Sequence, residues 1–225
     1  NIAALQLLGS VRTRLGAHDE AIELLTRAIA ADPKNGFAHF HLAQARAARG
    51  DIADAMASYE ACIAINPNDV AAFMNLGSLY KSETRYDEAL RSYDRALILM
   101  PTLGMAYRNI AATLREMGNL HAAAAIIERG MQMAPGDKTL QIDHTAALLY
   151  RGNLAAGWAA YEQRFDIPGE SGPRRSRPPA FWDGSDLRER RILVWTEQSP
   201  GDETMHANAR SEEHTSELQS RETIS

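Results

Sequence analysis

Four evenly spaced prolines divide the first part of the chain into segments of equal length. They are Pro33, Pro67, Pro101 and Pro135. Proline lacks a backbone N–H and clashes with the preceding helical turn, so a helix must end close to each one. A period of about 34 residues is typical of stacked helix-turn-helix repeats. We therefore predict four units, each with a helix A, a tight turn and a helix B, at residues 2–35, 36–69, 70–103 and 104–137.

Small side chains recur at three positions of every unit. The twelve residues are Gly9, Ala21, Ala28, Ala43, Ala55, Cys62, Gly77, Ala89, Ala96, Ala111, Ala123 and Gly130. Larger apolar side chains lie between them at helical spacing, namely Leu8, Leu25, Leu42, Tyr59, Leu76, Tyr93, Ile110 and Ile127. Each helix thus has an apolar stripe that a single helix pair does not cover. We predict that neighbouring pairs bury it for each other, and that Cys62 is a small core residue without redox chemistry.

The exits of the predicted A helices carry a second repeated signal. Gly16, Gly50 and Gly118 recur there, and glycine ends a helix cheaply because it adopts the left-handed conformation. Thr84 replaces glycine in the third unit.

The third unit resembles the tetratricopeptide repeat at nearly every characteristic position. The residues that carry the resemblance are Phe73, Leu76, Gly77, Tyr80, Ala89, Tyr93, Ala96 and Pro101. The resemblance implies an all-α fold, a right-handed superhelix of antiparallel helix pairs whose A helices line a concave surface. It also implies a protein-interaction scaffold that holds a peptide or a partner protein.

Residues 138–167 are predicted to form a degenerate fifth unit that caps the stack. Thr145 and Gly157 keep two of the small positions, but Arg164 stands at the third. The aromatic residues Trp158, Tyr161 and Phe165 follow at spacings of three and four. Because this aromatic face is larger than a solvated cap needs, we expect it to pack against a following domain.

Residues 168–189 are rich in proline, glycine and arginine and predict a linker. We favour a solvated linker. The alternative is a phosphate-binding patch formed by its arginines, Arg174, Arg175, Arg177 and Arg188. Residues 190–209 then read as a short apolar strand that enters a loop with Gly201 and Asp202. A strand and glycine-containing loop are typical of the start of an α/β domain.

The same region resembles bacterial proteins in which tetratricopeptide repeats precede a two-lobed, heptosyltransferase-like glycosyltransferase domain. The residues that carry this resemblance are Trp158, Tyr161, Glu162, Arg164, Phe165, Pro179, Trp182, Gly184, Asp186, Leu187, Glu197, Gln198, Gly201 and Asp202. It implies that Gly201 and Asp202 lie in the cleft between the lobes, although a simple turn explains them equally well. Ser199 departs from the family, which usually has glycine there. The resemblance implies a nucleotide-sugar cofactor only for a longer protein, and no cofactor for this fragment.

Residues 210–225 look like translated sequencing adapter. Residues 210–220 read RSEEHTSELQS, which matches one frame of a common library adapter. We expect an artefactual disordered tail and exclude it from functional reasoning; the alternative is a genuine acidic tail.

Composition excludes several classes of partner. The formal net charge of −5 gives no broad attraction for nucleic acid or an anionic membrane. No apolar run approaches the roughly 20 residues that span a bilayer. One cysteine and histidines scattered over different repeats (His39, His41, His121, His144 and His206) give neither a disulfide nor a metal-ligand spacing. We therefore expect no metal and no catalytic residues in this fragment, and a cytoplasmic location.

The predicted binding site consists of A-helix side chains that are not used in packing. They are Phe37, Phe40, His41, Gln44, Met74, Asn75, Ser78, Lys81, Met105, Arg108, Asn109 and Arg115. Asn75 and Asn109 occupy the same position of consecutive units and resemble the asparagine ladder of the O-GlcNAc transferase repeat domain. A primary amide can pair with any peptide group, although plain solvent-exposed polar residues are an equal alternative. The basic residues favour an acidic or carboxylate-ending segment.

Two functions remain from the sequence. The first is a peptide-binding or protein-binding scaffold. The second is the substrate-recruiting arm of a glycosyltransferase, heptosyltransferase-like or O-GlcNAc-transferase-like, whose catalytic domain is missing. A second α/β lobe with a nucleotide-sugar pocket in the uninterrupted reading frame would distinguish them.

Overall fold

A computed structural model describes residues 1–153, 155–157 and 160. These residues form nine helices of 13 or 14 residues and no strand. The helices are α1 (Ile2–Arg14), α2 (His18–Ala31), α3 (Gly36–Arg49), α4 (Ile52–Ile65), α5 (Val70–Ser82), α6 (Tyr86–Leu99), α7 (Gly104–Glu116), α8 (Leu120–Met133) and α9 (Lys138–Tyr150). The all-α prediction is confirmed for this part of the chain.

The helices are arranged as consecutive pairs. The helices α1, α3, α5 and α7 each pack most extensively on the even-numbered helix that follows, and each pair then packs on the next helix or pair. The A helices begin at one constant interval from Ile2 to Lys138, and the B helices begin at the same interval from His18 to Leu120. This interval equals the spacing of the four prolines. Because each unit contacts only its neighbours in the chain, the molecule is a repeat solenoid.

The helices end close to the prolines and glycines from which their ends are predicted. Every B helix ends two residues before one of the four prolines. Gly16, Gly50 and Gly118 adopt positive φ angles of 80°, 98° and 77°, which confirms their predicted left-handed conformation. Thr84 takes the same conformation, with φ 58°, although a β-branched side chain is strained there. The backbone turn is therefore kept even where the glycine is lost.

All twelve predicted small residues are buried. Gly77 shows why size matters there, because a Cβ atom built on it would lie 2.6 Å from Cε1 of Tyr93. Cys62 is fully buried, and burial together with the Asp69 carboxylate raises the pKa of its thiol to about 11. Its predicted role as a small core residue is confirmed.

One of the eight large apolar side chains does not behave as predicted. Leu42, Leu76 and Ile110 are buried on α3, α5 and α7, each of which packs against the helix that precedes it. Leu8 holds the equivalent position on α1, the first helix of this sequence, and is 44% exposed. The prediction that Leu8 is buried is wrong because its stripe faces no preceding helix in this chain.

The fifth unit is described through its A helix and the following turn. In α9, Thr145 is buried, and Gly152 repeats the left-handed turn with φ 77°. Gly157 is also buried and packs against Leu149. Trp158, Tyr161, Arg164 and Phe165, the linker at 168–189, the strand and loop at 190–209 with Gly201 and Asp202, and residues 210–225 lie outside the described residues.

Candidate functional site

Several A helices of the solenoid touch each other directly. Direct contacts join α1 to α3, α5 to α7, and α7 to α9. No pair of B helices makes contacts of that extent among the nine described helices. A stack whose A helices are closer together than its B helices curves towards the A side. These contacts favour an arrangement in which the A helices line the inner face.

An apolar row runs across this face near the beginning of α3, α5 and α7. Phe37, Ala71 and Met105 are equivalent residues of α3, α5 and α7. Phe37 is 49% exposed and Met105 is 60% exposed. Exposed apolar side chains in a row on an inner face are more typical of a binding surface than of a solvated one.

Three aromatic rings cluster at one end of this row. The ring centroid of His41 lies 4.2 Å from that of Phe37 and 5.4 Å from that of Phe40, both in edge-to-face geometry. Phe40 also contacts Tyr59 of the core, with centroids 5.6 Å apart. Gly36, Phe37, Phe40, His41, Asn66, Asp69 and Ala71 line a cavity of about 430 Å³ beside the cluster. The structure thus brings three of the predicted site residues together around one opening.

His41 stays uncharged at neutral pH. Burial lowers its pKa, and the weaker opposing influence is a hydrogen bond with Gln44, whose Oε1 lies 2.9 Å from Nδ1. Gln44, another predicted site residue, therefore orients the His41 ring. The aromatic cluster carries no positive charge near pH 7.

A second row carries the two predicted asparagines. Asn75 and Asn109 are half-buried on α5 and α7, at the position that His41 holds on α3. The Asn75 amide lies beside the Tyr59 hydroxyl and lowers its pKa, although burial has the larger effect and raises it. The same position carries Leu7 on α1 and Asp143 on α9. The row therefore presents amides on α5 and α7, an apolar side chain on α1 and a carboxylate on α9.

Two of the three predicted basic residues are already paired. Lys81 Nζ lies 2.8 Å from Glu116 Oε1, and Arg108 Nε lies 2.6 Å from Asp143 Oδ2. Arg115 is exposed, and no ion pair joins it to another described residue. These pairs join neighbouring units along the inner face, so less positive charge is free there than the sequence suggests.

One predicted site residue, Met74, belongs to the core, and a second, Ser78, is exposed but bonded to neighbouring groups. Met74 is only 7% exposed and belongs to the same core cluster as Tyr59 and Leu76. The expectation that Met74 is exposed on the inner face is therefore wrong. The Ser78 hydroxyl donates to the Met74 carbonyl oxygen at 3.0 Å and accepts from the Tyr93 hydroxyl at 3.3 Å. Ser78 is thus tied into the interface between α5 and α6.

The sequence analysis missed Ala71 and Asp143. Both were detectable, because each stands one full repeat after a predicted site residue, Phe37 and Asn109 respectively. Ala71 leaves the space that becomes the cavity, and Asp143 neutralises Arg108. Over the described residues, no three His, Cys, Asp or Glu side chains converge as a metal site, and no helix is long and apolar enough to cross a membrane.

Known proteins share this repeat. Two tetratricopeptide repeat family models match residues 13–79 and residues 70–103. Protein FlbA of Caulobacter vibrioides is 42% identical over 69 residues, which is 31% of this chain but 12% of that protein. Among solved structures, PilF of Pseudomonas aeruginosa superposes with a TM-score of 0.63 at 19% identity, covering 77% of this chain and 78% of PilF.

A further solved structure contains a bound peptide. The first repeat domain of Spaghetti (RPAP3), bound to the HSP90 peptide SRMEEVD, superposes with a TM-score of 0.50 at 24% identity. The match covers 52% of this chain and 93% of that domain. At this identity, both solved structures show a common fold alone.

Proposed function

We propose that the inner face of this chain, whose residues 13–79 and 70–103 match tetratricopeptide repeat models, binds an extended segment of another polypeptide chain. One observation carries the proposal: apolar residues and primary amides follow parallel rows with the period of the repeat. Phe37 and Met105 expose apolar surface, while Asn75 and Asn109 supply amides one helical turn further along α5 and α7. Amides suit a peptide backbone, and apolar residues suit its side chains.

The spacing of the helices fits an extended chain. Packed helices lie about 8 to 10 Å apart, and an extended peptide advances about 3.3 Å per residue. A segment that crosses the A helices therefore passes about three residues per unit. Asn75 and Asn109 lie on consecutive A helices, so each would bond a backbone group of the segment, and the two bonded groups would be about three residues apart.

The peptide bound to the similar repeat domain of RPAP3 supports a peptide as the partner. The preference for an acidic segment receives less support, because Lys81 and Arg108 already have carboxylate partners. Solvent-exposed ion pairs also contribute little free energy. We therefore assign the main affinity to the apolar row and the amides, and a smaller share to Arg115.

Selection of random peptides tests the proposal. A library of 12-residue peptides displayed on phage is selected on the full 225-residue chain, and the affinities of recovered peptides are measured by titration. The double variant Asn75→Ala, Asn109→Ala removes two hydrogen bonds of about 1 kcal/mol each, so we expect about 30-fold weaker binding.

The matched control replaces two exposed residues on B helices, Asp94→Ala with Gln132→Ala, and should leave affinity unchanged. If recovered peptides bind the asparagine variant and the parent chain equally, the inner face is not the binding surface and the proposed function is wrong.

A further inference from the structure

The cavity on the inner face exists because one residue of the apolar row is small. The equivalent positions carry Phe37 and Met105, whereas α5 carries the exposed Ala71. Ala71 is one of seven residues that line a cavity of about 430 Å³ between the start of α3, the turn at Asn66 and the start of α5. This volume lies within the range of pockets that bind small ligands. It therefore accommodates a large side chain.

Three polar atoms that line the cavity already have partners. Asp69 Oδ1 accepts a hydrogen bond from the Ala72 backbone N–H at 2.9 Å and so caps α5. Its Oδ2 accepts from the Cys62 thiol, with Sγ 3.8 Å away. His41 is bonded to Gln44.

An anionic occupant would lose its hydration beside the Asp69 carboxylate, which costs free energy. No lysine or arginine lines the cavity in the described part of the chain, so an acidic side chain would find no counter-charge. The lining of Phe37, Phe40, Ala71 and an uncharged His41 is complementary to an uncharged apolar group.

We propose that this cavity receives one large, uncharged apolar side chain of the leucine, methionine or phenylalanine type from the bound segment. The inference rests on the proposed function for the source of that side chain, but its chemistry follows from the cavity alone. Ala71 then determines specificity: it sets the size of the side chain that fits, while Phe37 and Phe40 provide its walls.

A titration with single capped amino acids tests the chemistry without any peptide. N-acetyl-leucine methylamide is added to the chain, and the NMR signals of Ala71, Phe37 and His41 are followed. A ligand of this size should bind in the millimolar range. The corresponding lysine and glutamate derivatives should bind at least tenfold more weakly.

The substitution Ala71→Phe restores the bulk found at Phe37 and should abolish the leucine-induced shifts. The matched control Ala57→Phe places the same side chain on an exposed position of α4 and should preserve them. Binding of the lysine derivative as strongly as the leucine derivative would overturn the proposal in favour of a cation on the aromatic rings. Equal shifts in both phenylalanine variants, or no shifts in the parent chain, would also overturn it.

A double-mutant cycle with a selected peptide then separates this inference from the proposed function. Replacing the peptide's apolar residue by alanine should weaken binding to the parent chain at least tenfold and leave binding to Ala71→Phe nearly unchanged. If the Asn75→Ala, Asn109→Ala variant weakens binding but this coupling is absent, the inner face binds peptides and the cavity assignment is wrong. If neither effect appears, the proposed function fails, and the amino acid titration still decides the chemistry of the cavity.

Discussion

At the scale of single residues, the stack depends on contacts too close for an ordinary side chain. The Gly77 backbone lies against the ring of Tyr93, which is fully buried between α5 and α6. A methyl group at Gly77 would meet Tyr93 Cε1 at 2.6 Å and Cδ1 at 2.8 Å. Tyr93 has no free space into which it can withdraw, because protein cores are close-packed.

We expect Gly77→Ala to destabilise the protein by about 1 to 3 kcal/mol through overpacking. At a helix position with free space, replacing glycine by alanine stabilises by roughly 0.5 to 1 kcal/mol. A loss of stability at Gly77 is therefore evidence of the clash. Urea unfolding followed by far-ultraviolet circular dichroism measures it. Gly136→Ala is the control, because a Cβ there meets nothing within 4 Å. Equal unfolding midpoints for the two variants would contradict the close approach.

The repeat period predicts which positions are small, but not every exposed position. The twelve small residues follow from the period alone, because the same backbone contact recurs in every unit. Met74 could not be assigned this way, since its equivalents are Phe40, half-buried, and Arg108, exposed. A long flexible side chain turns towards whichever neighbours leave room for it. The pairing of Arg108 with Asp143 likewise depends on unlike residues in adjacent units.

At the scale of helices, the beginnings of the A helices are held by side-chain caps. Asn35, Asp69 and Asp137 each accept a hydrogen bond from a backbone N–H in the first turn of α3, α5 and α9. Leu103 gives α7 no such bond. The sequence predicts where the A helices begin, because the prolines mark the preceding stop. Which of them gain a side-chain cap depends on one residue that varies between units.

Asp137 is the cap whose contribution is most easily isolated. Its Oδ1 accepts from the Thr139 and Leu140 backbone N–H groups, at 2.9 and 3.1 Å, and from the Thr139 hydroxyl at 2.6 Å. The hydroxyl bond is the largest cause of its lowered pKa. We expect Asp137→Ala to destabilise by about 1 kcal/mol at pH 7. Asp137→Asn retains an acceptor oxygen and should lose less.

The lowered pKa also fixes the sign of the pH dependence. A carboxylate whose folded-state pKa is below its unfolded value binds fewer protons when folded, so its contribution is complete above the unfolded pKa. It is lost as pH falls through the folded pKa. The stability difference between the parent chain and Asp137→Ala should therefore shrink as urea titrations move below about pH 4. A difference that grows on acidification would show that the charged cap is not the stabilising form.

At the scale of the whole molecule, three core clusters follow one another along the chain. One lies among α1 to α3, the largest joins α3 to α7, and the third joins α7 to α9. Leu97, Leu114 and Ile126 pack against both the second and the third cluster, so the core is continuous there. A peptide bound across α3, α5 and α7 would lie on the best-packed part of this stack.

The stack should open from its first helix. Only Gly9 and Ser10 are buried on α1, and Leu7 and Leu8 are 65% and 44% exposed, whereas α5 buries six residues. In a linear array each unit is stabilised mainly by its neighbours, so an end with one neighbour opens at lower free energy. We expect amide hydrogens in α1 to exchange at least tenfold faster than those in α5 and α6, a difference of about 1.4 kcal/mol in opening free energy. Mass spectrometry of peptic fragments measures this exchange helix by helix. Uniform protection across α1 to α9 would mean that these units unfold together and that the nearest-neighbour description is wrong.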